Sequence, residues 1–545
     1  MFRRPTKRLP SMLTQGPIQS ALRHEGGLTR RLFLAQAAAI AALPAFAAAR
    51  PGPVGRPTFD SDPFRLGVAS GDPSEDGMVL WTRLCPRPLE PDHGMPQEAV
   101  AVRWEIAENE SMSRGVRRGT TLATPQLAHS VHVEVTGLRP GRTYWYRFHA
   151  GGATSPVGRT RTLPPKESLP AKLRFAFASC QNIEHGYYTA YRHMAAQDPD
   201  FVVHLGDYIY EGPGKEGLVR RHKGPEKGRL QTLRDYRIRH SQYRSDPDLQ
   251  AMHARCPWWV TWDDHEFDNN YANTIPDTKD ADPATFLIRR AAAYQAYYEA
   301  MPLRSSCIPT GPDLRLYRGM AFGRLAEFQI LDTRQYRTDQ PNGDGPKPLN
   351  EAALDPANSL LGREQRNWLD SRLIASQGRW NVIAQQVMMG MVSRRPKVDG
   401  AERNYSMDQW PGAAHERMAL ARFWQDRRVP NPVVLTGDIH SNWVNDLRVD
   451  DRIGDSPVVA TEFVGTSITS GGKGSLAEVE LGKLQAENPC VRFFSRERGY
   501  VLCTVTPELW RSDYLTAEDV TQPNGPVVLR GSFVVESGKA GAIKA

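Results

Sequence analysis

The sequence predicts an α/β protein with a small all-β domain ahead of its main sheet. Three observations carry this. At 545 residues the chain is too long for one compact core, so two or three domains are expected. From about residue 60 to 165 it reads as short alternating segments, "FRLGVASGDP", "GMVLWTRL", "AVRWEIA", "HSVHVEVTGLRPGRTYWYRFHAG" and "GRTRTLP", cut by Gly, Pro and Asp turns at the spacing of a small β-sandwich. Beyond a proline-containing hinge, "LPPKESLPAK" (163–172), apolar strands alternate with helical stretches such as "LGREQRNWLDSRLIAS" and "AAHERMALARFWQDRR".

Residues 1–49 belong to neither domain. Arg30 and Arg31 precede an apolar run of about a dozen residues that ends in small residues around Ala45, Phe46 and Ala47. That is a signal peptide, since a spanning helix needs about 20 apolar residues. Thr29, the paired arginines and Phe33-Leu34 match the twin-arginine export signal, the alternative being a plain signal with two chance arginines. The expected location is periplasmic or extracellular, with the twin-arginine export machinery as a partner and no transmembrane segment in the mature chain.

The same segment accounts for +6 of the formal net charge of +8. The mature chain is about +2, which removes the main support for a nucleic-acid partner. Six scattered cysteines are too few for a disulfide scaffold, though they leave room for one or two bridges.

Within 166–545 each apolar run is followed by chemically capable residues. "LRFAFAS" leads to Cys180, "FVVHLG" to Asp207, Tyr208 and Tyr210, and "WWVTW" to Asp263, Asp264 and His265. "EFQIL" leads to Asp332 and Arg334, "NVIA" to Gln385 and Gln386, and "VVLTG" to Asp438 and His440. The carboxyl edge of parallel strands is where α/β proteins bind ligands, so acids, His, Cys and Tyr at several strand ends point to a metal centre.

These motifs resemble a known family. "GDYIY" (206–210) looks like the GDxxY of calcineurin-like metallophosphoesterases, "WDDHEFDNNY" (262–271) stands where GNH is commoner, and "LTGDIHSNW" (435–443) where GHxH is. With "FASCQN" and the N-terminal "GVASGDP…GMVLWTRL", the chain is similar to PhoD-type alkaline phosphatases over most of residues 60–470. "LRPGRTYWYRF" in turn resembles fibronectin type III domains. The resemblance implies a metallophosphoesterase-type β-sandwich flanked by helices (166–545), preceded by a fibronectin III-like PhoD N-terminal domain (50–165). It also implies hydrolysis of phosphate monoesters, with diesters plausible, in which a metal-activated hydroxide attacks a phosphate held across two cations.

The donor types refine this. Cys180, Tyr210, Asp207 and His440 around one position would offer three anionic donors, which suits Fe(III) better than magnesium or calcium. Cys180 is otherwise an inert core thiol. Asp207 as a bridge, Asp264, Asp263, Asn270 and Asp438 form an oxygen-rich set that favours calcium, one ion or two. Alignment with the asparagine of GNH favours Asp264 over Asp263 as the direct ligand, and Gln386 stands with Asp438 where related enzymes use histidine.

His265 takes the place of the family's catalytic histidine, to orient phosphate or protonate the leaving oxygen. Arg334 either binds phosphate or pairs with Asp332 to hold the sheet edge. "NYSMDQWPG" (404–412) is either a loop over the site or an ordinary surface loop. The rival activities are a phosphodiesterase or phospholipase D on the same centre and, from another class, a secreted binding module that holds metals only for stability.

Overall fold

The computed structural model describes residues 58–545 apart from 226–227, 278–281, 394–401 and 477, so the signal segment lies outside the described residues. Two mixed sheets form the centre of the molecule, one of ten strands and one of seven. In the larger sheet Leu173–Ala178, Phe201–Leu205 and Trp258–Thr261 run parallel. In the smaller, Ala326–Ile330, Trp380–Ala384, Pro432–Thr436 and Val458–Val464 do the same. All but Val458–Val464 are the short apolar runs read from the sequence, buried on both faces as parallel strands are.

Period-two alternation decides what each face meets. Phe175, Phe177 and Val203 point between the sheets, where they pack with Phe328, Val382, Val433 and Leu435 of the other sheet. Phe175 meets Phe328 edge-on at 5.2 Å. Ala176, Ala178 and Val202 face outward, under helices Thr189–Ala196, Leu233–Arg244, Pro247–Arg255 and Pro283–Ala300. Helices Gly362–Ala375 and Ala414–Asp426 cover the far side through Leu369, Leu373, Leu420 and Trp424. The result is a β-sandwich flanked by helices. The tail closes it, because Arg498–Val505 pairs antiparallel with Leu173–Ala178.

The N-terminal segment shares a sheet with the rest of the molecule. Val100–Ala107, Arg117–Ala123 and Thr143–Ala150 belong to a separate five-stranded sheet. Its packing partner is the end of the ten-stranded sheet, formed by Val68–Gly71, Met78–Arg83 and Ser130–Val135. Val68–Gly71 joins parallel to Trp258–Thr261, and Arg318 ties Asp72 at 2.7 Å across 246 residues of chain. All six cysteines are free and buried.

Candidate metal centre

The carboxyl ends of the parallel strands meet at one place. Three groups of residues bring their ligand atoms within 4.8 Å of one another: Cys180, Asp207 and His440; Asp207, Asp264 and His265; Asp263, Asp264 and Asp438. Asp207 and Asp264 are each shared by two groups, so the three form one band. Tyr210 joins it, donating its hydroxyl to Asp207 Oδ2 at 2.7 Å and lying 3.2 Å from His440 Nε2. Asn270 donates its backbone N–H to Asp264 Oδ2 at 2.7 Å, and its side-chain amide to Asp344.

The backbone makes this convergence possible. Cys180, Asp207, Asn270, Asp438 and His440 all have φ between +50° and +64°. A left-handed conformation at a non-glycine residue costs roughly 1–3 kcal/mol and persists only where the surroundings enforce it. Cys180, Asp207, Asp438 and His440 lie within four residues of a strand's carboxyl end, and Asn270 lies in the loop that follows Trp258–Thr261. Gly206, at φ +105°, permits the closest approach, since a Cβ there would lie 2.4 Å from the Asp263 nitrogen. Glu266 binds the two acidic loops together: its carboxylate accepts the backbone N–H groups of Asp207 (3.0 Å), Tyr208 (2.6 Å) and Asp263 (2.8 Å).

Burial leaves the centre short of compensating charge. Burial and the adjacent Asp207 push the Cys180 thiol well above its usual range, and burial does the same to the Tyr210 phenol. Burial also raises Asp438 to about 6 and lowers His440 to about 3. Burial opposes charge on Asp264, yet Arg334 and His265 outweigh it and depress that carboxyl. Asp263 Oδ2 and Asp264 Oδ1 are buried without a hydrogen-bond partner. A thiol, a phenol, an imidazole and unpartnered carboxylate oxygens in one buried band fit cations, which would displace the protons and satisfy the oxygens.

Arg334 lies fully buried behind the acids. Its Nε contacts Asp263 Oδ1 at 2.5 Å, its Nη1 contacts Asp408 at 2.8 Å, and its Nη2 is 3.8 Å from Asp264 and 3.6 Å from Asp438. Asp332 does not pair with the guanidinium; it accepts the backbone N–H groups of Arg334 and Gln335. Gln386 is turned away from the band, its amide engaged by Thr333, Thr261 and Leu331. The 404–412 segment reaches the site: Asp408 clamps Arg334 and Arg337, and Gln409 lies 3.5 Å from Asp438. Tyr208 points away, to His253 and Arg244.

The open side includes His265 and Asp438, with 23% and 19% of their side chains exposed, and the half-buried His440 and Asn270. Burial disfavours protonation of His265, but Glu211, Asp264 and Asp207 outweigh it and raise its pKa well above the ordinary value. Sequence reasoning misses Glu211, Glu266, Asp408 and Ser470. The first two each stand one residue after a candidate ligand or histidine, Tyr210 and His265, which is a usable signal. Ser470, whose hydroxyl lies 2.6 Å from that of Tyr210, is remote in sequence and has none.

A family model described as PhoD-like phosphatase matches residues 175–514. The chain belongs to the PhoD-like phosphatases. The model of the PhoD-like phosphatase N-terminal domain matches residues 47–164, so the family likeness also covers the segment that extends the larger sheet. This PhoD-like phosphatase is 51% identical over 493 residues to alkaline phosphatase D of Bacillus subtilis strain 168, covering 90% of this chain and 83% of that protein. It superposes on a solved structure of PhoD with a TM-score of 0.86 at 50% identity, covering 90% of this chain and 93% of the other. No helix among the described residues is long and apolar enough to cross a membrane.

Proposed function

We propose that this chain is an exported, metal-dependent alkaline phosphatase that hydrolyses phosphate monoesters to release inorganic phosphate. The observation that carries it is the shared Asp207, which links a thiol–phenol–imidazole set on one side to a carboxylate set on the other. Cys180, Tyr210, Asp207 and His440 would hold Fe(III). Asp207, Asp264, Asp438 and Asn270 would hold one or two calcium ions, with Asp263 kept in place by Arg334. When bound, these cations supply Lewis acidity that neutralises the phosphate and lowers the pKa of the attacking water. His265, on the open side, protonates the leaving oxygen.

Arg334 supports a second reading. A monoester carries one more negative charge than a diester, yet this arginine is spent on Asp263 and Asp408, so diester hydrolysis on the same centre stands as the alternative. One experiment addresses both: metal analysis of protein purified without added metals, beside assays with p-nitrophenyl phosphate and its bis-ester. We expect iron and calcium, a charge-transfer colour lost or shifted in Cys180→Ala, loss of activity with EGTA, and faster turnover of the monoester. A colourless, iron-free but fully active enzyme sinks the iron assignment, and restoration by zinc alone sinks the calcium one. Export is supported by the Thr29-Arg30-Arg31 signal. Arg30→Lys with Arg31→Lys should retain the protein inside the cell, and normal secretion of that variant would point to an ordinary signal peptide.

A further inference from the structure

We propose that a single chloride-sized anion is bound at the seam between the N-terminal strands and the catalytic domain, in a buried cavity shared by Arg83 and Arg244. Strand Met78–Arg83 supplies Trp81 and Arg83 to its wall, and helix Leu233–Arg244 supplies His240, Ser241 and Arg244. The two arginines are 2% and 3% exposed. Arg83 donates from Nε to the Ala128 carbonyl at 2.9 Å and from Nη1 to Ser241 Oγ at 3.3 Å. Arg244 donates from Nη1 to the Tyr208 hydroxyl at 3.0 Å and lies over the Trp81 ring, 4.4 Å from its centroid. All of these partners are uncharged, and among the described residues neither arginine forms an ion pair. Glu299, whose charge reaches Arg83, is taken by Arg237 through two contacts of 2.7 Å. Burial pushes the nearby Cys85 thiol up to about 11, so it stays neutral.

A buried charge with no counter-charge is costly, and a guanidinium cannot escape the cost by losing its proton. The negative charge therefore comes from outside the chain. The unpartnered atoms say what kind of ligand brings it. Arg83 Nη2 and Arg244 Nε and Nη2 are buried without a hydrogen-bond partner, and so are both ring nitrogens of His240. The arginine atoms can only donate. Burial, with Arg83 and Arg244 nearby, keeps the His240 imidazole neutral, so it adds one donor and a single acceptor. A water would bring two protons to a place with one free acceptor, and would leave both guanidiniums uncompensated. A halide accepts hydrogen bonds from every direction, donates none and supplies negative charge to both arginines. The cavity has about 10 Å³ of room for the centre of a water-sized sphere, which is space for one small occupant. Inorganic phosphate, with four oxygens, does not fit, so this is not a second site for the product. Arg83 lies in the segment matched by the N-terminal family model and Arg244 in that matched by the phosphatase model, so the anion joins the two.

The test uses the full-length enzyme with its metals, dialysed into methanesulfonate, and follows urea unfolding as chloride replaces methanesulfonate at constant ionic strength. A ligand that binds only the folded chain raises the folded-to-unfolded ratio about tenfold for each tenfold rise in ligand above its dissociation constant. We expect chloride to act in this way, bromide to act like chloride, and Arg244→Met to lose the response. Crystals grown from protein exchanged into bromide should show one anomalous peak between the two guanidiniums at the bromine edge or, where resident chloride has not exchanged, at a long wavelength. That measurement is made on the parent chain, so it decides the matter even if Arg244→Met does not fold. No peak at either wavelength, with the cavity empty or holding only water, overturns the proposal. Stability that does not depend on chloride overturns it as well, and so does a chloride response that survives unchanged in Arg244→Met, which would mark a general salt effect.

Discussion

Glu266 joins two ligand loops with one carboxylate, and its burial pushes its pKa up to about 7 even though three backbone amides favour the charged form. The arrangement spends a costly buried group on position alone, because Asp207 and Asp263 must be held side by side before any cation binds. Glu266→Ala would strand three backbone N–H groups away from water. An unsatisfied buried donor costs about 1–3 kcal/mol, so urea unfolding should show a loss of at least about 3 kcal/mol. Metal content should fall with it, since Asp207 is shared between both halves of the site. Unchanged stability and metal content would show that the loops are held by something else.

Among the elements, the turns at the strand ends bear most directly on the site, because four candidate ligands, Cys180, Asp207, Asp438 and His440, sit on left-handed backbone there. Two glycines let those turns close. Gly206 admits Asp263, while a Cβ on Gly437 would lie 2.7 Å from Ser179 Oγ, where the edges of the two sheets meet. Gly206→Ala demands both an unfavourable φ and a 2.4 Å contact with the Asp263 nitrogen. We expect it to cost more than about 2 kcal/mol and to lose metal. Gly212→Ala, with nothing within 4 Å of its Cβ, should stay within about 0.5 kcal/mol of the parent. Equal melting temperatures for the two variants would contradict this account of the turn.

Across the whole molecule, several buried histidines are kept neutral. Burial lowers His204 to about 3, burial with Arg83 and Arg244 nearby lowers His240 to about 3, and burial lowers His129 to about 4. In the unfolded chain each titrates near 6.5. The folded values are depressed, so below about pH 6.5 the unfolded chain binds protons that the folded chain refuses. Their stabilising effect is complete above that pH and is lost progressively as pH falls toward 4 and then 3. Each histidine contributes a slope approaching about 1.4 kcal/mol per pH unit. His204 and His240 together should therefore cost roughly 3 kcal/mol between pH 6.5 and 5. His204→Phe, whose ring can keep the stack on Trp258, should flatten that dependence in unfolding measured at pH 5 and pH 7.5. An unchanged slope would mean that other groups dominate.

Local pattern in the chain was enough to specify six of the parallel strands and the residues at their ends, but not Val458–Val464 or the parallel pairing of Val68–Gly71. Apolar runs such as Phe201–Leu205 and Trp258–Thr261 are readable one segment at a time, and the residues just after a strand necessarily land at its edge. That Cys180, Asp207, Tyr210, Asp264, Asp438 and His440 reach one sheet edge was legible for that reason, and the motif resemblance made the family legible with it. The neighbour that each group meets emerged only with the folded molecule. Gln386 comes after its strand as the candidate ligands come after theirs, yet its amide is taken by Thr333 and Thr261. Arg334 pairs with Asp263 across 71 residues and with Asp408 across 74, rather than with the nearby Asp332. The N-terminal strands likewise read as a separate sandwich, but Val68–Gly71 adds parallel to Trp258–Thr261 and lengthens the main sheet. Spacing along the chain says which edge a side chain reaches. The partner of a buried charge, and the strand that covers an open sheet edge, are selected by packing between segments distant in sequence, which no local pattern encodes.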